Sequence, residues 1–255
     1  MCIRDRAATD LGRLGLIGGT GLNAWSELVV EEQREVPTPY GAASAPLQIG
    51  TLAGQPVCFL PRHGQGHKIP PHCINYRANL WALHSAGVQN VIAVAAVGSM
   101  DKALPPGAIA APDDLIDYSW GREHSYSSSP DQPLLHVEFT APFCPTLRTR
   151  LLQAAGRAQV PILDHGVLGV TQGPRLESAA EIRRLTRDGC SMVGMTTMPE
   201  AGLARELQMN YACLALSVNW AAGLGEGEIH AQIEESIAAG VSKIQATVLA
   251  LFQPG

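Results

Sequence analysis

The chain is short of charge. Asp, Glu, Lys and Arg make up 16% of its 255 residues, against 46% hydrophobic residues. A chain so poor in charge commits much of its surface to a core or to subunit contacts, so an oligomer is expected. The charge present sums to −5. That disfavours a nucleic-acid backbone or an anionic membrane as the main partner, and any anion site must be built locally. No apolar run reaches the roughly 18 residues that span a bilayer. The six cysteines include no C-x-x-C pair, which points to reduced, mostly buried thiols in a cytoplasmic protein. The stretch MCIRDRAATD has no apolar core of its own and is not a signal peptide. Residues 1–13 are read as a disordered leader or a remnant outside the fold. Several signatures are missing too: there is no H-E-x-x-H, no P-loop, and no dinucleotide fingerprint, the glycines near the start being spaced G-G-x-G.

What is present is a regular alternation of short apolar runs with helical patterns. Leu14–Gly19 reads as a buried strand ending in glycines, and Pro46–Gly64 as a hairpin turning at Ala53-Gly54. Asn75–Ala86 reads as a helix stopped by Gly87. Val91–Val97 is a continuous apolar run, the mark of a strand covered on both faces. Val167–Val170, Met192–Met195 and Tyr211–Val218 are further strands. Pro199–Gln208 opens a helix with proline in its first turn. A closing helix carries Ile229, Ile233, Ile237, Val241, Ile244 and Val248 on one face. The softest segment is Ser125–Pro133, and no linker or repeat divides the chain. The expectation is one α/β domain over residues 14–255, a three-layer αβα sandwich around a mixed, largely parallel sheet.

In such sheets ligands bind beyond the carboxyl ends of strands, so the loops there carry the chemistry. Gly18–Gly21 (GGTG) lets backbone approach an anion, and Thr20 adds a hydroxyl. Pro61–His72 (PRHGQGHKIPPH) concentrates cationic and imidazole groups. A zinc site would need His63, His67 and His72 to converge. No carboxylate lies between Leu60 and Ile74, and Pro70 and Pro71 break any helix that could present the histidines together. An anion suits the stretch better: Arg62 offers a planar fork of donors and His63 a further donor. A basic surface loop with no ligand is the plainer alternative. Val94–Met100 (VAAVGSM), Thr171–Ser178 (TQGPRLES), Gly194–Glu200 (GMTTMPE) and Ser217–Gly223 (SVNWAAG) complete the set.

These loops, in this order, resemble the trimeric purine nucleoside phosphorylase and methylthioadenosine phosphorylase family over about residues 14–223. PRHG followed by NYRANLWAL is more similar to the methylthio branch. The resemblance implies the nucleoside phosphorylase fold and a reaction in which inorganic phosphate attacks C1′ of a purine nucleoside and the base departs. No cofactor or metal is implied. It places Thr20, Arg62, His63 and Thr196 at phosphate, Met195 against the ribose and Leu176 against the base. His67 and His136 fall near the 5′ end of the sugar, His136 reaching in from a neighbouring subunit of a homotrimer. Asn219 and His63 are the residues expected to act on the reacting groups. Ala95 stands where relatives often carry a hydroxyl or amide for phosphate, so one donor fewer is expected.

The base-side residues depart from the methylthioadenosine type. Where that type has an aspartate, this chain has Asn219, and Ala221 stands where a second acid is expected. An asparagine amide can donate to N7 or to a 6-oxo group, and Glu177 can accept from N1–H. The combination implies 5′-methylthioinosine as substrate. The runners-up are methylthioadenosine phosphorylase and a general inosine/guanosine phosphorylase. From other classes come a nucleoside-binding protein without turnover and a histidine metalloenzyme.

Overall fold

A computed structural model describes residues 11–19, 25–127, 134–225 and 229–253, with backbone alone for 229–232, 234 and 235. The strands are β1 (Arg13–Gly18), β2 (Leu28–Arg34), β3 (Leu47–Leu52), β4 (Gln55–Pro61), β5 (Val88–Ser99), β6 (Ile109–Ala110), β7 (Asp114–Asp117), β8 (Ile162–Leu163), β9 (Val167–Val170), β10 (Met192–Gly194) and β11 (Asn210–Trp220). The helices are α1 (Tyr76–Ser85), α2 (Pro145–Arg157), α3 (Ala179–Arg187), α4 (Thr197–Glu206) and α5 (Ile229–Ala250).

The two long apolar runs become β5 and β11, paired in parallel from Asn210↔Asn90 onward. Successive side chains of a strand point to opposite faces, and both strands show it. Val91, Ala93, Ala95 and Val97 of β5, with Tyr211, Cys213 and Ala215 of β11, join the core that contains α1 and α4. Ile92 and Val94, with Ala212, Leu214 and Leu216, join the core that contains α2 and α5. Helices therefore cover both faces, and the three-layer αβα arrangement follows from two strands buried on either side. Among the described residues, six of the ten strand pairings are parallel. The β3–β4 hairpin turns at Ala53 and Gly54, with φ of 51° and 73°, as a two-residue turn matched to strand twist requires. Asn75 caps α1 by accepting from the Ala78 amide, and Gly87 follows at φ 80°.

Strand β5 changes neighbours along its length, and this creates the site. Its first half pairs with β1, ending at Ile17↔Ala93. On the same side its end pairs antiparallel with β10, through Gly98 and Ser99. Between them Val94–Val97 has neither strand alongside, so a crevice opens where the topology switches. A bulge in β11 between Ser217 and Asn219 lies opposite this point.

Several features differ from the reading of the sequence. Leu11–Arg13, assigned to the leader, belong to the fold: Leu11 is buried, its carbonyl accepts from Asn90, and Arg13 opens β1. Residues 1–10, and 128–133 of the softest segment, lie outside the described residues. The reading of the sequence contains neither helix α2 nor α3, nor strands β2, β6, β7 and β8. Helix α2 carried a legible signal in Leu147, Leu151 and Ala154 at helical spacing. Strand β2 is exposed from Val29 to Arg34 and has no buried face there to impose alternation. Among the described residues no helix is long and apolar enough to cross a membrane.

Candidate active site

A cavity of about 210 Å³ fills the crevice. Strand β5 lines it with Val94, Ala96, Val97 and Gly98, and Gly19, Arg62, His63, His67, Leu176, Glu177, Met195, Thr196 and Asn219 converge from the loops. Of the ten residues singled out from the sequence, eight line this one space. Thr20 lies outside the described residues, and His136 sits on an exposed segment that does not line the cavity of its own chain.

Arg62 is 1% exposed. A buried guanidinium needs a counter-charge, and Glu200 of α4 supplies it. Nε donates to Oε1 at 2.5 Å and Nη2 to Oε2 at 2.9 Å, and the Tyr211 hydroxyl donates to the same Oε2 at 2.8 Å. Burial alone would lower the Arg62 pKa, but Glu200 more than offsets it and holds the guanidinium in its charged form. Nη1 donates to the Val94 carbonyl at 2.8 Å, satisfying a backbone group of the strand where its partners diverge. Three of the five guanidinium donors are thereby used, and two remain.

His63 has its polarity set by backbone. Nδ1 lies 2.8 Å from the Ile69 carbonyl; a carbonyl only accepts, so Nδ1 carries the proton. The Ile69 amide donates back to the His63 carbonyl at 3.0 Å, closing the PRHGQGH loop on itself. Burial, with Arg62 and His67 beside it, pushes the His63 pKa down to about 4. The ring is then neutral near pH 7 and presents Nε2 as an acceptor, the reverse of the donor role expected from the sequence. Gly19 makes the room beside it. A side chain there would place its first carbon 3.3 Å from His63 Cδ2, 3.6 Å from Nε2 and 3.7 Å from Arg62 Nη1. His67, at φ 56°, lays its ring against His63 with centroids 4.2 Å apart and the planes tilted by 30°. Among the described residues no three His, Cys, Asp or Glu side chains form a metal-ligand group.

Thr196 precedes α4, buried, with no cap bond from its hydroxyl. Met198 is non-helical at φ −111° and ψ 136°, so the regular helix begins at Pro199, as the proline implied. Ala95 is 4% exposed and packs in the core shared with α1 and α4; the alanine lining the cavity is Ala96. Alternate residues of a strand direct their N–H and C=O to the same edge. The Ala96 N–H therefore shares the crevice edge with the Val94 carbonyl, a backbone donor where a side-chain donor was expected to be missing.

On the base side, the bulge carries Asn219 into the cavity, 6% exposed. Nδ2 donates to the Trp220 carbonyl at 2.6 Å, which orients the amide and leaves its second N–H and Oδ1 for a ligand. The asparagine is a strand residue and not a turn or cap. Glu177 accepts from Thr171 Oγ1 at 2.5 Å, and Leu176 is 41% exposed.

Two residues at the site went unrecognised in the sequence. Glu200 lies in the sequence at a helix start, with nothing local to mark it as the partner of Arg62. Arg122 lies in no motif. Its Nη1 donates to the Met195 and Met198 carbonyls, Nη2 to those of Thr171 and Gln172, and Nε to Gln172 Oε1. It ties the loop carrying Glu177 to the loop carrying Met195 and Thr196. Its partners are backbone carbonyls and one amide from distant loops, so no local pattern marks it.

Comparison with known proteins agrees with this geometry. A family model described as the phosphorylase superfamily matches residues 13–253. A protein of Pseudomonas syringae pv. tomato described as a probable S-methyl-5′-thioinosine phosphorylase is 48% identical over 91% of this chain and 95% of its own length. The 6-oxopurine nucleoside phosphorylase of Pyrococcus furiosus is 42% identical over 88% of this chain and 85% of its own. Among solved structures, a mutant of the adenosine/methylthioadenosine phosphorylase of Schistosoma mansoni, in complex with methylthioadenosine, superposes with a TM-score of 0.89 at 30% identity. That match covers 94% of this chain and 90% of the other. Matched from β1 to the end of α5, with the loops of that fold converging on one cavity, the chain belongs to the phosphorylase superfamily.

Proposed function

We propose that the protein catalyses phosphorolysis of 5′-methylthioinosine to hypoxanthine and 5-methylthioribose 1-phosphate. The observation that carries this reading is the pairing of Asn219 and Glu177 on the walls of one cavity. The free donor of the Asn219 amide faces N7 or the 6-oxo group as that edge gains electron density, and the Glu177 carboxylate accepts from N1–H. A 6-amino purine has no N1–H and sets its N1 lone pair against the Glu177 carboxylate, acceptor against acceptor, which penalises it. The similarity to proteins described as thioinosine and 6-oxopurine phosphorylases supports the same choice.

Inorganic phosphate, the co-substrate, lies over Gly19 between Arg62 and His63, with the Ala96 N–H and the Thr196 hydroxyl as further contacts. One oxygen of hydrogen phosphate attacks C1′ as the bond to the purine nitrogen breaks; the electron pair leaves with the base, and the proton released as the phosphate becomes an ester dianion is balanced, through solvent, by the one that the base takes up to become hypoxanthine. The negative phosphate stabilises the oxocarbenium-like ribosyl group from one face while Asn219 stabilises the charge moving onto the base. No cofactor is required. Met195 lies against the ribose. His67 lies at the 5′ end, joined by His136 of a neighbouring subunit in a homotrimer. Leu134 and Leu135, beside His136, are 76% and 48% exposed, and Trp120 is 70% exposed, apolar surface of the kind a second copy covers.

The test is phosphate-dependent base release from methylthioinosine, methylthioadenosine, inosine and adenosine side by side. The expected result is preference for methylthioinosine by orders of magnitude. Preference for methylthioadenosine leaves the phosphate site intact and overturns the roles given to Asn219 and Glu177. Release without phosphate overturns phosphorolysis.

A further inference from the structure

The cradle over Gly19 holds less positive charge than its composition suggests. Arg62 is the cation facing it, and its bidentate pairing with Glu200 is complete before any ligand arrives. His63 cannot offer a second donor in its neutral form, because Nδ1–H is committed to the Ile69 carbonyl and Nε2 is the atom that shares the Gly19 space with Arg62 Nη1. An oxyanion oxygen placed against that lone pair is acceptor against acceptor, a buried mismatch of the kind that costs a full desolvation penalty. A proton between them removes it.

We propose that the phosphate oxygen facing His63 is bound as P–OH donating to Nε2, so that the cradle takes up a tetrahedral dianion only together with one proton. Hydrogen phosphate brings that proton with it. Sulfate, of the same shape and charge, has none near neutral pH and must draw one from solvent, onto Nε2. This rests on reading the Gly19–Arg62–His63 space as the phosphate site. The other groups around His63 are few. His67, in the same loop, faces its ring. Arg62 is adjacent, and behind it stand Glu200, Tyr211 and Tyr76. Burial pushes both tyrosines up, out of the neutral range, and the His67 pKa is lowered by burial and by Arg62.

The experiment is ligand-induced thermal stabilisation of the full chain by sodium phosphate and by sodium sulfate, at constant ionic strength, at about pH 7.5 and about pH 8.5, where hydrogen phosphate predominates. It needs no turnover, so variants that lose activity remain measurable. Sulfate affinity is expected to fall about tenfold across that one pH unit, since binding takes up one proton. Phosphate affinity is expected to change by less than about twofold. His63→Gln, whose amide can donate, should bind sulfate with no pH slope, while His67→Asn should keep the slope. Sulfate that stabilises the unaltered protein equally at both pH values overturns the proposal, as does a slope that persists in His63→Gln or vanishes in His67→Asn. If sulfate fails to stabilise the unaltered protein but stabilises His63→Gln, the acceptor role of Nε2 is upheld. If phosphate and sulfate both fail to stabilise any form, the anion site itself is wrong and the proton inference falls with it. If both bind with no pH slope, only the proton inference falls.

Discussion

Replacing Glu200 with glutamine tests the role of the buried pair most directly. The carboxylate accepts three hydrogen bonds, from Nε and Nη2 of Arg62 and from the Tyr211 hydroxyl. Glutamine keeps one oxygen and turns an NH2 group towards donors. Arg62 is left charged and 1% exposed, without a counter-ion. Removing one partner of a buried pair costs about 3–5 kcal/mol. At 2–4 °C per kcal/mol for a chain of this size, Tm should fall by roughly 6–20 °C. The melt should be run by circular dichroism in phosphate-free buffer. Saturating phosphate should then recover part of the loss, because the anion supplies the missing negative charge. kcat/KM for phosphate should fall more than KM for the nucleoside rises. A companion variant, Arg62→Met with Glu200→Leu and Tyr211→Phe, removes the three side-chain polar groups of the cluster at once and leaves the Val94 carbonyl to water in the cavity. It should melt close to the unaltered protein while losing phosphate-dependent turnover, since such clusters can often be replaced by apolar groups without loss of stability. A Glu200→Gln protein melting within about 2 °C of the original, or a triple variant that retains turnover, would refute the reasoning.

Three further outcomes follow from the same geometry. Gly19→Ala places a carbon between Arg62 Nη1 and His63 and should raise KM for phosphate about tenfold or more, leaving KM for the nucleoside little changed; steady-state kinetics with each substrate varied will decide. Arg122→Lys keeps the charge but cannot bridge the carbonyls of Thr171, Gln172, Met195 and Met198 together. Misplacing those loops should lower kcat/KM by up to about a hundredfold, and an unchanged value would show that the loops hold themselves. His63 is neutral in the fold with its pKa pushed down to about 4, so below about pH 6.5 the unfolded chain binds a proton that the folded one does not. Stability should therefore fall as pH drops from about 6.5 to about 4, and His63→Gln should flatten that slope in urea titrations; identical slopes would mean the ring is protonated in the fold.

How much could be read without coordinates depended on how local the cause was. The apolar runs at Val91–Val97 and Tyr211–Val218 foretold buried strands because burial on both faces needs no partner to be named. Ala53-Gly54 foretold a hairpin and Gly87 a helix end because positive φ is a property of one or two residues. The order of the loops along the chain was enough to bring eight of ten named side chains to one cavity. The roles of those side chains were another matter. Arg62 meets Glu200 across 138 residues, a contact set by how α4 packs on the sheet and not by any spacing. Ala95 and Ala96 are neighbours in sequence, yet only one reaches the cavity, because successive strand residues point to opposite faces and packing against α1 and α4 turns Ala95 into the core. The sequence determined which segments are buried and where the chain turns. Tertiary structure alone decided that the arginine arrives already neutralised and that the histidine beside it accepts, because a hydrogen bond's direction depends on which distant carbonyl or carboxylate the fold places opposite it.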